Sequence, residues 1–326
     1  MQRHPAPPGH PAFTVTPLAE GDLHAVAGLT FPSYRPLLEK VTSAEQAKEQ
    51  VIALVARSAG GPVGLVMASY SLLESISPAG KSTAPLNILS MMTTPLWRHC
   101  GVASALMKAL AEEGKRLGLT CMNVRYTTKI ESLLAFEHLL LSAGWCAPQP
   151  SMQLSLFKIS DMASAPWLPK VTAPNPEYEL FPLTELRDEE RTRLMAGIAA
   201  GDIPEGLSPF ADEEHLVPEL SFGFRKGSDV VAWMTLIRSP FVPDALCYRS
   251  LFVNPKLRMA NGFGPFLAAH AFRHHLTSPV KEERPKGLFG TSYTATKELN
   301  FVRKRLAPHC CDLYESRTAT LPLLHE

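Results

Sequence analysis

The stretch that decides the fold runs over residues 86–126 and reads LNILSMMTTPLWRHCGVASALMKALAEEGKRLGLTCMNVRY. It opens with an apolar run of strand length, 86–93, which a proline turn follows. Segment 101–117 then carries apolar residues at helical spacing, and Gly118 is placed to end that helix as a C-cap. A second strand is predicted over 120–126. The pattern indicates a strand–helix–strand unit whose helix begins just beyond the end of the first strand.

The entry to this helix has the features of a phosphate site. Backbone N–H groups of a first helical turn have no partner within the helix, and the helix dipole adds partial positive charge there. Small residues at Gly101 and Ala103 allow a ligand to approach the backbone closely, and Arg98 supplies a fixed positive charge. Together they predict a cradle for a pyrophosphate.

The same segment resembles the signature of the GNAT superfamily of acyl-CoA-dependent N-acyltransferases. In that signature an Arg or Gln is followed, after two residues, by Gly and, after one more, by Gly or Ala. Arg98, Gly101 and Ala103 satisfy the spacing, and Pro95 lies upstream as is usual in the family. A predicted helix over 130–142, closed by Gly144-Trp145, is similar to the family's Gly-Phe ending. The resemblance covers 13–159 by architecture and 95–145 by motif.

The resemblance implies acetyl-CoA, or another acyl-CoA, as co-substrate. Backbone groups of the first strand would pair with the pantetheine arm, and an N–H there, such as that of Met92, would polarise the thioester carbonyl. An amine acceptor, either a small molecule or a peptide, would enter between the two strands and attack directly. The positions expected to bind the co-substrate are Met91, Met92, Thr93, Arg98, His99, Cys100, Gly101, Val102, Ala103 and Ser104.

The proton-transfer groups of the family are harder to match. Leu140 stands where many members carry a tyrosine that protonates the leaving thiolate, and strand 86–92 has no acidic residue. The nearest polar candidates are Ser132 and His138. Two functions therefore stay open: an N-acetyltransferase acting in the N-terminal half, and a CoA-binding regulatory or interaction module without turnover. A transferase that uses a longer acyl donor is a third.

Two stretches of equal length, 13–159 and 177–323, flank a proline-rich segment, 160–176, that reads as an extended linker. Short motifs recur between them in the same order, which predicts a tandem duplication. The pairs are Pro17-Leu18 with Pro182-Leu183, Pro95-Leu96-Trp97-Arg98 with Pro255-Lys256-Leu257-Arg258, and Tyr126-Thr127-Thr128-Lys129 with Tyr293-Thr294-Ala295-Thr296-Lys297.

Both halves read as the same uneven succession of strands and helices. It favours an α/β chain of the α+β type, in which each half is a mostly antiparallel mixed sheet with helices on its faces. Helices are predicted over 22–31 and 43–54 near the start. The second copy of the motif is degenerate, because Gly262 follows Arg258 by four residues instead of three and Pro265 enters the helix.

Composition and charge argue against several functional classes of protein. Lys and Arg number 32 against 31 for Asp and Glu, and a net charge of +1 speaks against nucleic-acid binding. The 326 residues contain no apolar run of the ~18 residues that a membrane helix needs. Six cysteines without a CxxC pattern fit reduced thiols. His270 and His274 lack the Glu of an HExxH motif, so no metal site is predicted. We expect a cytoplasmic protein, an internally duplicated monomer or a homodimer.

Overall fold

The computed structural model describes residues 3–4, 12–42, 49–71, 84–257 and 262–323. The chain forms two compact units. The first consists of Met1–Ser151 and Ser316–Glu326, and the second of Met152–Glu315. Each is a mixed sheet flanked by helices, as predicted.

The strands are β1 (Arg3–His4), β2 (Phe13–Pro17), β3 (Glu49–Ser58), β4 (Gly61–Ser71), β5 (Leu86–Thr93), β6 (Cys121–Thr127), β7 (Gln149–Lys158), β8 (Glu179–Pro182), β9 (Phe222–Lys226), β10 (Asp229–Arg238), β11 (Ala245–Val253), β12 (Lys286–Ser292) and β13 (Asp312–Pro322). The helices are α1 (Leu23–Val26), α2 (Arg35–Thr42), α3 (Val102–Arg116), α4 (Leu133–Ser142), α5 (Ile159–Ala163), α6 (Asp188–Ala199), α7 (Phe263–Thr277), α8 (Val280–Glu283) and α9 (Thr296–Phe301).

In the first unit the strands follow the order β1-β2-β3-β4-β5-β6-β13. Neighbours are antiparallel except β5 and β6, which run parallel because α3 connects them across one face of the sheet. Helices α3 and α4 bury that face, whereas α1 and α2 cover β3 and β4 on the opposite face. The site described below lies between β5 and β6.

In the second unit the order is β7-β12-β11-β10-β9-β8, and β11 and β12 are the parallel pair. Helix α7 joins them and packs on the core through Phe263, Leu267 and Phe272. The same arrangement of strand, long helix and parallel strand therefore occurs in both units.

The expected domain boundaries need a correction at the last strand of each half. Residues 152–158 of β7 pair with β12 in the second unit, and residues 316–322 of β13 pair with β6 in the first unit. The stretches 13–159 and 177–323 are therefore not self-contained. A strand's residues predict that it is a strand, but its hydrogen-bonding partner is set by contacts distant in sequence.

The segment 160–176 is also not an extended linker over its whole length. It begins within α5, and Met162, Trp167 and Leu168 are buried in the core of the second unit. Their burial outweighs the high proline content, because apolar side chains removed from water stabilise a packed segment.

One predicted helix is wrong. The described part of 43–54 belongs to β3, and 43–48 lie outside the described residues. Ala53 and Val55 face one core while Leu54 and Ala56 face the other, so the strand shows no alternation of polar and apolar residues. The helix predicted over 22–31 is only the four residues of α1, with turns of 3-10 helix on both sides. No helix within the described ranges is both long and apolar enough to span a bilayer.

Candidate functional site

The two parallel strands of the first unit separate partway along their length. β5 pairs with β6 over 86–88, opposite 122–124, and no described strand continues that pairing beyond Ile88. At the same place the register between β4 and β5 shifts, which leaves Leu89 as an extra residue. Such a bulge bends a strand and increases its twist. The result is an opening between 89–93 of β5 and 125–127 of β6, called the wedge below.

Hydrogen-bond alternation decides which backbone groups face the wedge. The Thr94 N–H donates to the Val63 carbonyl at 2.9 Å. Because hydrogen-bonded residues alternate along an antiparallel ladder, Met92 bonds β4 in the same way. The Met92 oxygen indeed lies 3.3 Å from where a Cβ on Gly64 of β4 would be. The N–H and C=O groups of Met91 and Thr93 therefore face the wedge, which corrects the expectation that the Met92 N–H would polarise a thioester there.

The loop that leaves β5 carries its backbone in an unusual conformation. It begins with a 3-10 turn at Pro95–Trp97, and the Trp97 ring packs edge-on against buried Phe13 with centroids 6.1 Å apart. His99 and Gly101 then have positive φ, 63° and 78°. Positive φ costs a non-glycine residue free energy, and such residues concentrate at functional sites. With these two positive φ angles the chain changes direction and enters the first turn of α3 at the mouth of the wedge.

The first turn of α3 leaves several N–H groups free. Its first helical hydrogen bond runs from the Ala105 N–H to the Gly101 carbonyl at 3.0 Å. Within 84–257, no carbonyl accepts from the N–H groups of His99 or of residues 101–104. No heavy atom lies within 4 Å of a Cβ position on Gly101, so a ligand can approach this backbone. The groups suit an anion such as a pyrophosphate.

Side chains of the predicted cradle differ in what they can contribute. Arg98 is exposed, and its guanidinium has no hydrogen bond or ion pair with the described residues. Cys100 and Val102 are buried in the core beside α3, so only their backbones are available to a ligand. The Cys100 Sγ lies 3.4 Å from the Arg98 carbonyl oxygen and holds the loop closed.

The two residues predicted as proton-transfer candidates lie on α4. Ser132 is the exposed N-cap residue of that helix, and His138 is exposed two turns later. The Leu140 side chain is fully buried in the core. No described acidic side chain bonds Ser132 or His138.

A tyrosine that the sequence analysis did not single out lies on β6 itself. The Tyr126 hydroxyl donates to the Glu137 Oε1 of α4 at 2.8 Å, and the Arg317 Nη1 of β13 donates to the same oxygen at 2.9 Å. Burial, followed by the hydrogen bond to Glu137, raises the pKa of Tyr126 well above its usual value. The phenol is therefore neutral at pH 7. Its hydrogen bond fixes β6 to α4 beside the wedge. In the sequence, Tyr126 stood out only as the first residue of the repeated motif that ends at Lys129.

The second unit repeats the separation of strands. β11 pairs with β12 over 245–248 only, the register with β10 shifts next to Leu236, and the Asn254 N–H donates to the Val231 carbonyl at 2.8 Å. Each observation matches one made at β5. The duplication therefore extends to the bulge and to the hydrogen-bond phase of the strand.

The helix entry of the second unit is less suited to an anion. Gly262 has positive φ, 62°, as Gly101 has, and the Phe266 N–H donates to its carbonyl at 3.0 Å. Pro265 takes the place of Ser104 in this alignment, so one donor is missing. Arg258 and Met259, which the degenerate motif includes, lie outside the described residues.

Two histidines of α7, His270 and His274, lie one helical turn apart. The rings of His270 and His274 have centroids 4.3 Å apart, and burial together with the neighbouring His274 lowers the pKa of His270 to about 4. In the part of the chain that the structure describes, no three potential ligands among His, Cys, Asp and Glu come together.

Neither a protein-family profile nor a curated protein sequence matches the chain. Solved structures do match it along its length. A tandem GNAT protein from the clavulanic acid biosynthesis pathway is 14% identical with a TM-score of 0.64, covering 96% of this chain and 99% of that one. The GCN5-related glucosamine N-acetyltransferase region of a fungal multi-domain GH3 β-N-acetylglucosaminidase is 15% identical with a TM-score of 0.59, covering 98% of this chain.

The chain spans 38% of that fungal protein's length. A conserved protein of unknown function from Enterococcus faecalis V583 is 11% identical with a TM-score of 0.53, covering 95% of this chain and 73% of that one. At these identities the matches show the fold. Both halves of the chain take part in it, because the coverage of this chain is nearly complete in each case.

Proposed function

We propose that this chain, which has the tandem GNAT fold, is an N-acyltransferase whose first unit moves an acyl group from acetyl-CoA, or a related acyl-CoA, to an amine. The observation that carries the proposal is the wedge between β5 and β6, with the free N–H groups of α3 at its mouth. We assign the second unit a structural role, because Pro265 removes a donor from its helix entry.

The helix entry would hold the pyrophosphate. The N–H groups of 101–104 and the Arg98 guanidinium supply hydrogen bonds and positive charge at one place. Hydrogen bonds to a charged group contribute about 1.5–3 kcal/mol each, so a few of them dominate the affinity. Ser104 and Ala103 contribute through the backbone of the same turn.

The exposed edge of β5 would hold the pantetheine arm. Met91 and Thr93 present N–H and C=O groups to the wedge, and an extended amide chain can add to them as a further strand does. The bound acyl-CoA supplies a thioester. An N–H of this edge, aimed at its carbonyl oxygen, would stabilise the negative charge that develops there during attack.

The transfer itself needs few groups from the protein. The amine nitrogen forms a bond to the acyl carbon while the bond from that carbon to sulfur breaks, and the proton lost by nitrogen ends on the thiol. Strand β5 has no carboxylate to carry that proton. Water in the open wedge is then the carrier, and the acceptor reacts in its neutral amine form.

A second function is favoured by the buried side chain at Leu140. Without a tyrosine at this position, the first unit could bind CoA and regulate a partner without turnover. The two functions differ in one measurable product, free CoA thiol.

The test is thiol release from acetyl-CoA across a broad panel of amines. The acyltransferase proposal predicts release above the rate of uncatalysed hydrolysis with at least one amine, and loss of that release in Arg98→Glu. Saturable binding of acetyl-CoA without such release would support the binding module instead. Repeating the panel with long-chain acyl-CoA identifies the acyl donor. Faster thiol release from long-chain acyl-CoA than from acetyl-CoA would make the longer thioester the donor.

A further inference from the structure

The sheet of the first unit has a polar face beside the wedge. On the face under α3 and α4 the side chains of β5 and β6 are apolar and buried, namely Leu86, Ile88, Met122 and Val124. The residues between them point to the opposite face. There Asn87 and Arg125 are exposed and Asn123 is half-buried. A substrate that reaches the wedge must come from this polar face, because helices cover the other.

The strand register places these polar residues side by side. Asn87 lies opposite Asn123, and Asn123 lies opposite Thr320 of β13. Arg125 follows two residues later on β6, opposite Thr318, on the same face. It is also the first residue of β6 beyond the pairing with β5, so it stands at the edge of the wedge.

Arg125, like Arg98, has no acidic partner among the described residues, whereas several other arginines of the first unit have one. Arg57 pairs with Asp22, Arg116 with Glu113 and Arg317 with Glu137. The Arg125 guanidinium makes no hydrogen bond or ion pair with the described residues. Its charge is available to a ligand at the entrance used by the acceptor.

The two asparagines add donors of the same kind. The Asn123 Oδ1 accepts a hydrogen bond from the Thr320 hydroxyl at 2.8 Å, which fixes the amide and leaves its NH2 group free to donate. No described residue bonds the Asn87 amide. A guanidinium flanked by amide donors, with no carboxylate among these residues, is suited to bind a carboxylate.

We infer that the acceptor is an amine that also carries a carboxylate, such as an amino acid, and that Arg125 with Asn87 and Asn123 binds that carboxylate. The inference rests on the proposed acyltransferase function and names its substrate class. The carboxylate anchors the acceptor on the polar face of the sheet, and the amine reaches the acyl carbon in the wedge. Arg125 is thus a positioning residue for the acceptor and transfers no proton.

The experiment compares thiol release for amino acids and for the amines that lack only the carboxylate, such as lysine with cadaverine and histidine with histamine. We expect the amino-acid members to be used at least ten times more efficiently in kcat/KM. In Arg125→Gln, KM for a carboxylate acceptor should rise about 10- to 100-fold, the loss expected for a charged hydrogen bond, with kcat and the KM for acetyl-CoA unchanged. Arg125→Lys should restore part of the affinity because it keeps the charge.

The control variant is Lys108→Gln, which removes an exposed cation from α3. It should leave kcat, the KM for the acceptor and the KM for acetyl-CoA unchanged. Equal use of amino acids and their decarboxylated partners, or an Arg125→Gln enzyme with unaltered KM, would overturn the inference while the acyltransferase function stands. If no amine of the panel gives thiol release above the rate of uncatalysed hydrolysis, the proposed function fails, and this inference fails with it.

Discussion

Glu137 joins three elements of the first unit through a single carboxylate. It lies on α4 and accepts hydrogen bonds from Tyr126 of β6 and Arg317 of β13. Burial alone would raise the pKa of Glu137, but these two donors outweigh it and hold the pKa below its ordinary value of 4.5. The ionised carboxylate therefore stabilises the fold above pH 4.5, and this contribution disappears as the pH falls through the folded-state pKa.

We predict that Glu137→Gln lowers the free energy of unfolding by about 1–2 kcal/mol at pH 7, where the charged hydrogen bonds of the carboxylate are lost. Urea denaturation of both proteins at pH 7 and pH 3 measures the effect. At pH 3 more of the wild-type carboxyl is protonated than at pH 7, so the difference between the two proteins should be smaller. A difference of equal size at both pH values would contradict the role of the ionised Glu137.

Among individual residues, those of the helix entry are easier to predict from the sequence than those that line the wedge. Arg98, Gly101 and Ala103 could be proposed as site residues from the sequence because their spacing lies within one local turn. The direction of the Met92 backbone groups could not be predicted, because it depends on which residues of β5 are hydrogen-bonded to β4. Arg125 and Tyr126 were missed for a similar reason: β13, which pairs with both, is distant in the sequence, and the Glu137 that bonds Tyr126 lies on α4.

At the scale of elements, the approach of β4 to α3 depends on Gly64. A Cβ at this position would lie 2.8 Å from the Val102 Cγ1 and 3.1 Å from the Leu106 Cδ1. Both contacts are with buried side chains in the first turns of α3. The absence of a side chain at Gly64 thus sets where the helix entry lies relative to the sheet.

Gly64→Ala should destabilise the chain by about 1–3 kcal/mol, the usual cost of adding a methyl group to a packed core. It should also weaken acetyl-CoA binding, because α3 must shift. The control is Gly28→Ala, whose Cβ would meet nothing within 4 Å. Chemical denaturation and acetyl-CoA titration of both variants test the prediction, and equal behaviour of the two would refute it.

The sequence predicted some elements with their observed bounds and missed others. The strand over 86–93 was predicted with the bounds that the structure has, and the strand over 120–126 lies within one residue of β6 at each end. β3 was mistaken for a helix because both of its faces are buried. Boundaries come from turn residues, which are local, whereas the type of a doubly buried segment depends on what packs against it.

At the scale of the whole molecule, the first unit is discontinuous in sequence. Its sheet is completed by residues 316–322, which pair with β6. The two ends that an internal deletion would create are adjacent, since the Ser151 Oγ donates to the Ser316 carbonyl at 3.0 Å. The tandem repeat is visible in the sequence, but this exchange of final strands is not, because the repeat motifs stop before them.

A chain in which a short Gly/Ser linker joins residues 1–151 to 316–326 should therefore fold and bind acetyl-CoA. The contiguous fragment 1–159 should not, because β6 would be left as an unpaired strand edge that favours aggregation. Size-exclusion chromatography and circular dichroism distinguish the two. A monomeric, cooperatively folded 1–159 fragment would contradict this account of the unit.

Calorimetric titration of acetyl-CoA into the wild type, Gly101→Asp and Gly262→Asp tests whether the first unit holds the acyl-CoA. Both glycines precede a long helix and have positive φ, so the two substitutions impose similar backbone strain, and each adds negative charge at a helix entry. We predict one saturable site in the wild type, its loss in Gly101→Asp and its retention in Gly262→Asp. Unchanged binding in Gly101→Asp, or loss in Gly262→Asp alone, would contradict it.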